Sequence, residues 1–266
     1  MPLEIAAITP HPPIIISDIG AQQCDKVSDT IGAMRALGTE IGRHDVSTLV
    51  LISPHHRLYG PAFGVVALPV MRGDFGEFGF PEISSSVSGE PGLAQTIIAQ
   101  AMKDDLPVLE KQPGPGFSLD HGFLVPYSFL SASGPYKCVE LSLAMQPLEL
   151  HYRFGVALGR AIAAYPHKVV FVASGDLSHA LTRDAPAGYE PSGVDFDKLV
   201  VEKVSLGHFR ELLDIPQQLV EAAGECGLRS IVTLAGLLEG KEFGSHVLAY
   251  EGPFGVGYLT AVVRMA

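Results

Sequence analysis

The sequence predicts an α/β chain: one domain spanning 1–266, built on a central, mostly parallel or mixed sheet with helices on both faces and its functional site at the strand ends. Three observations carry this expectation. Short runs rich in Val, Ile and Leu recur along the chain, stretches of helical character separate them, and histidines follow several of the apolar runs within a few residues. Continuous apolar runs suit strands buried on both faces, and strands alternating with helices suit a sheet covered on both sides.

Taken in order, the strand candidates are Leu3 to Ile8, Ser47 to Ser53, Phe63 to Val70, Lys137 to Leu143, Lys168 to Ser174, Ser245 to Tyr250 and Val256 to Arg264. Helices are expected over Ala21 to Arg43, Pro91 to Lys103, the segment after His121, Pro147 to Ala164, Phe196 to Leu213 and Gly227 to Leu238. Two segments, Met71 to Pro91 and Leu106 to Ser118, are rich in Gly and Pro and lack a period, so they read as surface loops or lids. In sheets of this kind ligands bind beyond the carboxyl ends of the strands, which directs attention to the loops there.

Composition narrows the function classes. The chain is 47% apolar, enough for one large core. With 18 basic against 29 acidic side chains its formal charge is −11, which repels phosphate backbones and anionic lipid surfaces, so neither nucleic acid nor a membrane is expected as a partner. Three cysteines, Cys24, Cys138 and Cys226, are too few for a disulfide framework. The first residues carry no basic region before a short apolar run that proline soon breaks, and no run of about 18 apolar residues follows. A cytoplasmic location is therefore the expectation.

The histidines carry the chemistry. His11 follows the first strand candidate, His55 and His56 follow the second, and His179 follows the run ending at Ser174. Neutral imidazole is the commonest metal ligand and the natural base near neutral pH. Prolines flank His11 in ITPHPPII and stiffen its loop. In ISPHHR, neighbouring side chains in extended backbone point oppositely, so only one of His55 and His56 faces a metal easily and the other is left to line the pocket. In ASGDLSHA, Asp176 either orients the His179 imidazole as a base or ligand, or it caps a helix together with Ser174. His121 lies beside Asp120 at an expected helix start, where it can hydrogen-bond an anionic oxygen. In AAGECGLRS, either Glu225 or Cys226 can ligate a metal, the carboxylate suiting Fe(II) or Mn(II) and the thiolate suiting copper or Zn(II). The plainer reading has an acid at a helix N-terminus beside a buried thiol. Glu251, in a turn-like YEGPFGVGY, is a further carboxylate candidate.

In this order TPHPP, SPHH, LDHGFLVP, SGDLSH and GECG resemble the motifs of class III extradiol dioxygenase catalytic subunits, and those of the related Memo branch, from about residue 3 to about residue 263. The resemblance implies a metal held by His11, His55 and Glu225, with Cys226 as the alternative ligand in the manner of the Memo branch. It further implies His179 as acid/base and His121 as a contact to the oxygenated substrate. The implied metal is Fe(II), with Mn(II), Zn(II) or copper as alternatives. The implied substrates are a small catecholic or related aromatic diol and O2, and the implied partners are a second copy of the chain or a small subunit. The Memo-like alternative is copper or zinc binding, or partner binding, without ring cleavage.

Overall fold

The computed structural model describes residues 2–55, 60–111 and 117–266. Its strands are β1 (Leu3–Thr9), β2 (Thr48–Ser53), β3 (Phe63–Val66), β4 (Val70–Phe75), β5 (Phe80–Ser88), β6 (Val108–Lys111), β7 (Lys137–Ser142), β8 (Val169–Ser174), β9 (Phe243–Glu251) and β10 (Tyr258–Met265). Its α-helices are α1 (Ser17–Gly20), α2 (Ser28–Ile41), α3 (Pro91–Lys103), α4 (His121–Leu130), α5 (Leu148–Ala163), α6 (Pro191–Leu206), α7 (Gln217–Ala223) and α8 (Leu228–Leu237).

Eight strands form one mixed sheet in the order β6-β3-β7-β2-β8-β1-β10-β9, and β4 and β5 pair separately. The central run β7-β2-β8-β1 is parallel, whereas β10 and β9 add antiparallel strands on one side and β3 pairs antiparallel with β7 on the other. The sheet is mixed, as expected. Among the described residues no helix is long and apolar enough to cross a membrane.

Side-chain alternation explains why the central strands are apolar throughout. Val169, Phe171 and Ala173 of β8 enter one buried cluster, with α3, α5, α6 and α8, while Val170 and Val172 enter the other, with α2 and α4. The same split divides Val50 and Ile52 from Leu49 and Leu51 in β2. Both faces of the sheet are covered, so neither can be polar.

Helix α8 is held close against α5. A Cβ at Gly155 would collide with the Thr233 carbonyl, and one at Gly236 with the Tyr152 carbonyl. Only glycine admits this backbone approach, which holds the C-terminal half of α8 against α5.

Several expectations need correction. Met71 to Pro91, expected as a loop or lid, contains the β4–β5 hairpin, turning through Gly79 at φ 89°. Its outer strand is largely exposed and its serines mask the strand pattern, although Met71, Phe75 and Val87 are buried beneath it. Leu106 to Ser118 contains the edge strand β6. The front of the expected helix Ala21 to Arg43 is a 3-10 turn over Ala21–Val27. Helix α6 starts earlier than expected, at Pro191, and stops at Gly207 in the left-handed region (φ 74°), after which Phe209–Asp214 continues as 3-10 helix.

Candidate active site

The parallel strands β1, β8 and β2 end level with one another, Thr9 opposite Ser174 and Ala173 opposite Ile52. Two residues beyond the three ends stand His11, Asp176 and His55. The sequence reading has the strands of His11 and His55 side by side, but β8 lies between them. The imidazoles close that gap: their Nε2 atoms are 2.9 Å apart, a separation that two metal–nitrogen bonds of about 2 Å can span.

Hydrogen bonds set the His11 ring. Ser174 Oγ donates to the Gly122 carbonyl at 2.6 Å and lies 2.9 Å from His11 Nδ1. A hydroxyl has one proton to give, so Ser174 accepts from Nδ1–H of His11, and the Nε2 lone pair faces the cleft. The His11 backbone amide donates to Asp176 Oδ1 at 3.0 Å, with Asp176 Oδ2 3.8 Å from the ring Nε2.

Among the described residues, two groups of side chains bring ligand atoms within 4.8 Å of one another: His11, His55 and His121 in one, and His11, Asp176 and Cys226 in the other. The His121 ring stacks on His55 with centroids 4.4 Å apart and meets His11 edge-on at 5.3 Å. Cys226 Sγ is 3.6 Å from His11 Nε2 and accepts from the Asp176 amide at 3.3 Å. That approach depends on paired glycines, because a Cβ at Gly175 would collide with Gly227.

Burial, and then the neighbouring imidazoles, lowers the His11 pKa well below 6.5. Burial first, then His121, takes His55 to about 4, and burial takes His121 to about 4. Burial raises Asp176 to about 7, partly offset by the His11 amide, and pushes the Cys226 thiol up. The imidazoles are thus neutral near pH 7 with lone pairs to offer, the protonation that metal binding needs. Close-set imidazole nitrogens, a buried carboxyl and a thiol form a donor set that a divalent cation fits.

The remaining expected residues sort themselves. Glu225 is in neither ligand group; its carboxylate accepts from the Leu228 amide at 2.5 Å, at the start of α8. Glu251 accepts from Thr30 N at 2.7 Å in the first turn of α2. His179 is half-buried and close enough to depress the pKa of both His11 and His55. Its Nδ1 is buried without a hydrogen-bond partner among the described residues. Asp176 bonds the His11 amide where the sequence reading has it orienting His179, and no helix begins at Ser174 or Asp176 for either to cap. His56 lies outside the described residues.

Asp120 caps α4, accepting from Phe123 N at 3.0 Å and from Ser53 Oγ at 2.7 Å, and so ties the end of β2 to the helix that begins with His121. His55 and His121 open onto a cleft of about 350 Å³ whose far wall includes Asp74, Glu77 and Phe78 of the hairpin. Phe78 meets the His121 ring edge-on at 5.0 Å. The sequence does not reveal these hairpin residues because their Gly- and Ser-rich segment reads as loop, nor the role of Ser174, which depends on two distant partners, the Gly122 carbonyl and His11 Nδ1.

The family model described as the catalytic LigB subunit of aromatic ring-opening dioxygenase matches residues 5–261. The chain belongs to this LigB family. The LigB match spans the whole set of strand-end residues described above. Among relatives, Protein CA_C1420 of Clostridium acetobutylicum is 34% identical over 260 residues, covering 94% of this chain and 55% of the relative, so the chain spans about half the length of that protein. A 3,4-dihydroxyphenylacetate 2,3-dioxygenase of Escherichia coli is 24% identical over 247 residues, covering 88% of each. The crystal structure of the uncharacterized protein JW3007 from Escherichia coli K12 superposes with a TM-score of 0.67 at 16% identity, covering 97% of this chain and 99% of that one, a likeness of fold. The extradiol dioxygenase superfamily that the motif order implies is thus the LigB family to which the chain belongs.

Proposed function

We propose that this chain is a metal-dependent dioxygenase that opens the ring of a small catecholic or related aromatic diol with O2, its metal held by His11 and His55 and a third donor beside them. The observation that carries the reading is the convergence of the His11 and His55 Nε2 atoms, 2.9 Å apart, beside a cleft that also presents His121. Family membership supplies the reaction class, and Fe(II) is the metal that suits it. When bound, the metal supplies a common coordination site for the diol and O2 and lowers the cost of charge developing on their oxygens.

The chain's own residues do the rest. His121, stacked on His55, is placed to hydrogen-bond a substrate oxygen and steady its charge. His179 has a ring nitrogen, Nδ1, without a hydrogen-bond partner among the described residues and a pKa lowered by burial, with the Leu177 backbone acting the other way, which suits it to take a diol proton and return it later. Phe78 offers an aromatic face or edge to the ring. Metal analysis of protein purified with and without oxygen, followed by oxygen uptake across a catechol panel with added Fe(II), tests the reading. Diol-dependent oxygen uptake with a ring-opened product supports it; uptake absent with Fe(II) bound and every diol in the panel counts against it.

One observation favours a second reading. The thiol of Cys226, rather than the Glu225 carboxylate, stands next to His11, and thiolate with imidazole suits copper or zinc. On that reading the site binds metal in the Memo manner without ring opening, and purified protein retains copper or zinc in preference to iron.

A further inference from the structure

Asp197, in α6, is wholly buried and lies outside the cluster of ligand atoms. Both its oxygens are engaged: Oδ1 accepts from Ser178 N at 2.8 Å, and Oδ2 accepts from the Tyr250 hydroxyl of β9 at 2.7 Å. Gly257 packs against the same carboxylate, where a Cβ would collide with Oδ2. Gly257 in turn brackets the loop, donating to Ser178 O at 2.8 Å and accepting from Leu177 N at 2.8 Å.

Ser178 passes the constraint on. Its Oγ donates to the Ala223 carbonyl at 3.1 Å and accepts from Ala180 N at 3.1 Å, while His179 N donates to that same Ala223 carbonyl at 2.9 Å. The loop carrying His179 is therefore fastened to the segment running from Ala223 to Cys226, at the Ala223 carbonyl and again where Cys226 N donates to the Asp176 carbonyl at 3.2 Å, and it is fastened to α6 at the Asp197 carboxylate. Burial raises Asp197 to about 6, partly offset by Tyr250 and the Ser178 amide. A buried carboxylate costs stability unless hydrogen bonds compensate, and here one of the two comes from the backbone directly beside His179 and the other from the Tyr250 hydroxyl.

We propose that Asp197 is a positioning residue that, through Ser178 N and with Tyr250 as its brace, sets where the His179 imidazole stands relative to the cleft. The role of His179 as proton acceptor rests on the ring-opening reading; the placement of its ring does not. A carboxylate removed from the reacting atoms thereby controls the step that His179 serves, since small displacements of a catalytic group cost on the order of a hundred-fold in rate.

The test compares full-length Asp197→Ala, Asp197→Asn and Tyr250→Phe with the parent, each checked for bound metal. The first readout is the assigned ring resonance of His179 in 13C–1H spectra, with those of His151 and His208 as controls. The expected result is a displaced His179 resonance in Asp197→Ala, a smaller displacement in Tyr250→Phe, and near-parental shifts in Asp197→Asn, which keeps an acceptor for Ser178 N. Metal content stays within about two-fold of the parent, and with an active substrate kcat falls on the order of ten- to a hundred-fold in Asp197→Ala with KM little changed. An unmoved His179 resonance in Asp197→Ala overturns the proposal, as does a displacement shared equally by His151 and His208. If Asp197→Ala fails to fold, Tyr250→Phe decides by the same resonances. Failure of the ring-opening reading is recognised separately, as a parent protein that turns over no diol while His179 still responds to Asp197.

Discussion

The sulfur of Cys226 lies 3.6 Å from Nε2 of His11, although 215 positions separate the two residues in the chain. Close approach of Gly175 to Gly227 brings the loop after β8 against the entry to α8, and the amide of Asp176 then meets the Cys226 thiol at 3.3 Å. The side chain of Glu225 leaves in another direction, to the Leu228 amide. One short segment presents its thiol to the histidines and its carboxylate to a helix terminus, so the two residues are not interchangeable.

From this division we expect Cys226→Ala to lose most of its bound metal, on the order of ten-fold or more, since removing one of three ligands forfeits a direct bond. Glu225→Gln should stay near the parent, because the amide oxygen still accepts from Leu228 N. Elemental analysis of both variants after dialysis gives the answer. Metal lost from Glu225→Gln and kept by Cys226→Ala would reverse the assignment.

His179→Ala should retain metal while kcat falls on the order of a hundred-fold or more, the usual loss when a general base is removed. His121→Ala should act chiefly on KM, through the lost contact to a substrate oxygen. Parallel metal analysis and steady-state oxygen uptake separate the two, and metal loss from His179→Ala would make that residue a ligand.

Much of this arrangement was legible in the sequence, and for physical reasons. The buried parallel strands β1, β2 and β8 announce themselves as unbroken apolar runs because both their faces are covered, and each run ends two residues before His11, His55 or Asp176. What was hidden depends on long-range placement. Nothing local says that β8 lies between β1 and β2, that Asp176 bonds the amide of His11, or that Glu225 turns to Leu228. The β4–β5 hairpin was hidden because its outer strand is mostly exposed, so the serine-rich stretch carries no apolar alternation to betray it.

That hairpin supports a prediction about substrate. Phe78 is 41% exposed at the rim of the cleft yet packs edge-on against His121, a place where an aromatic ring can be met from the open side. Aromatic pairs are worth about 0.5–1.5 kcal/mol beyond area burial. Phe78→Ala should then raise KM for an aromatic diol by roughly two- to ten-fold with kcat held within a factor of about two. Equal KM values for Phe78→Ala and Phe78→Leu against the parent would remove Phe78 from the substrate's path.

A last prediction concerns acid stability and falls on a histidine outside the site. His151 of α5 is fully buried, donates Nδ1–H to the Pro147 carbonyl at 3.1 Å, and keeps Nε2 buried without a partner among the described residues. Phe63 meets its ring edge-on at 5.0 Å. Burial lowers its pKa from 6.5 to about 4, with the Pro147 carbonyl acting the other way and Arg229 lowering it further. The unfolded chain therefore binds this proton more readily than the folded one. Stability from His151 is fully present above pH 6.5 and is lost as the pH falls towards about 4, with a slope near 1.4 kcal/mol per pH unit and a total of about 3 kcal/mol at most. Replacing the ring by a neutral group of similar size, as in His151→Met, should cost some stability near pH 7 yet flatten the decline on acidification by about 2 kcal/mol between pH 7 and pH 5. Urea unfolding of parent and variant across that range measures the difference, and parallel curves for the two would show that the His151 ring already carries its proton in the fold or titrates freely in water.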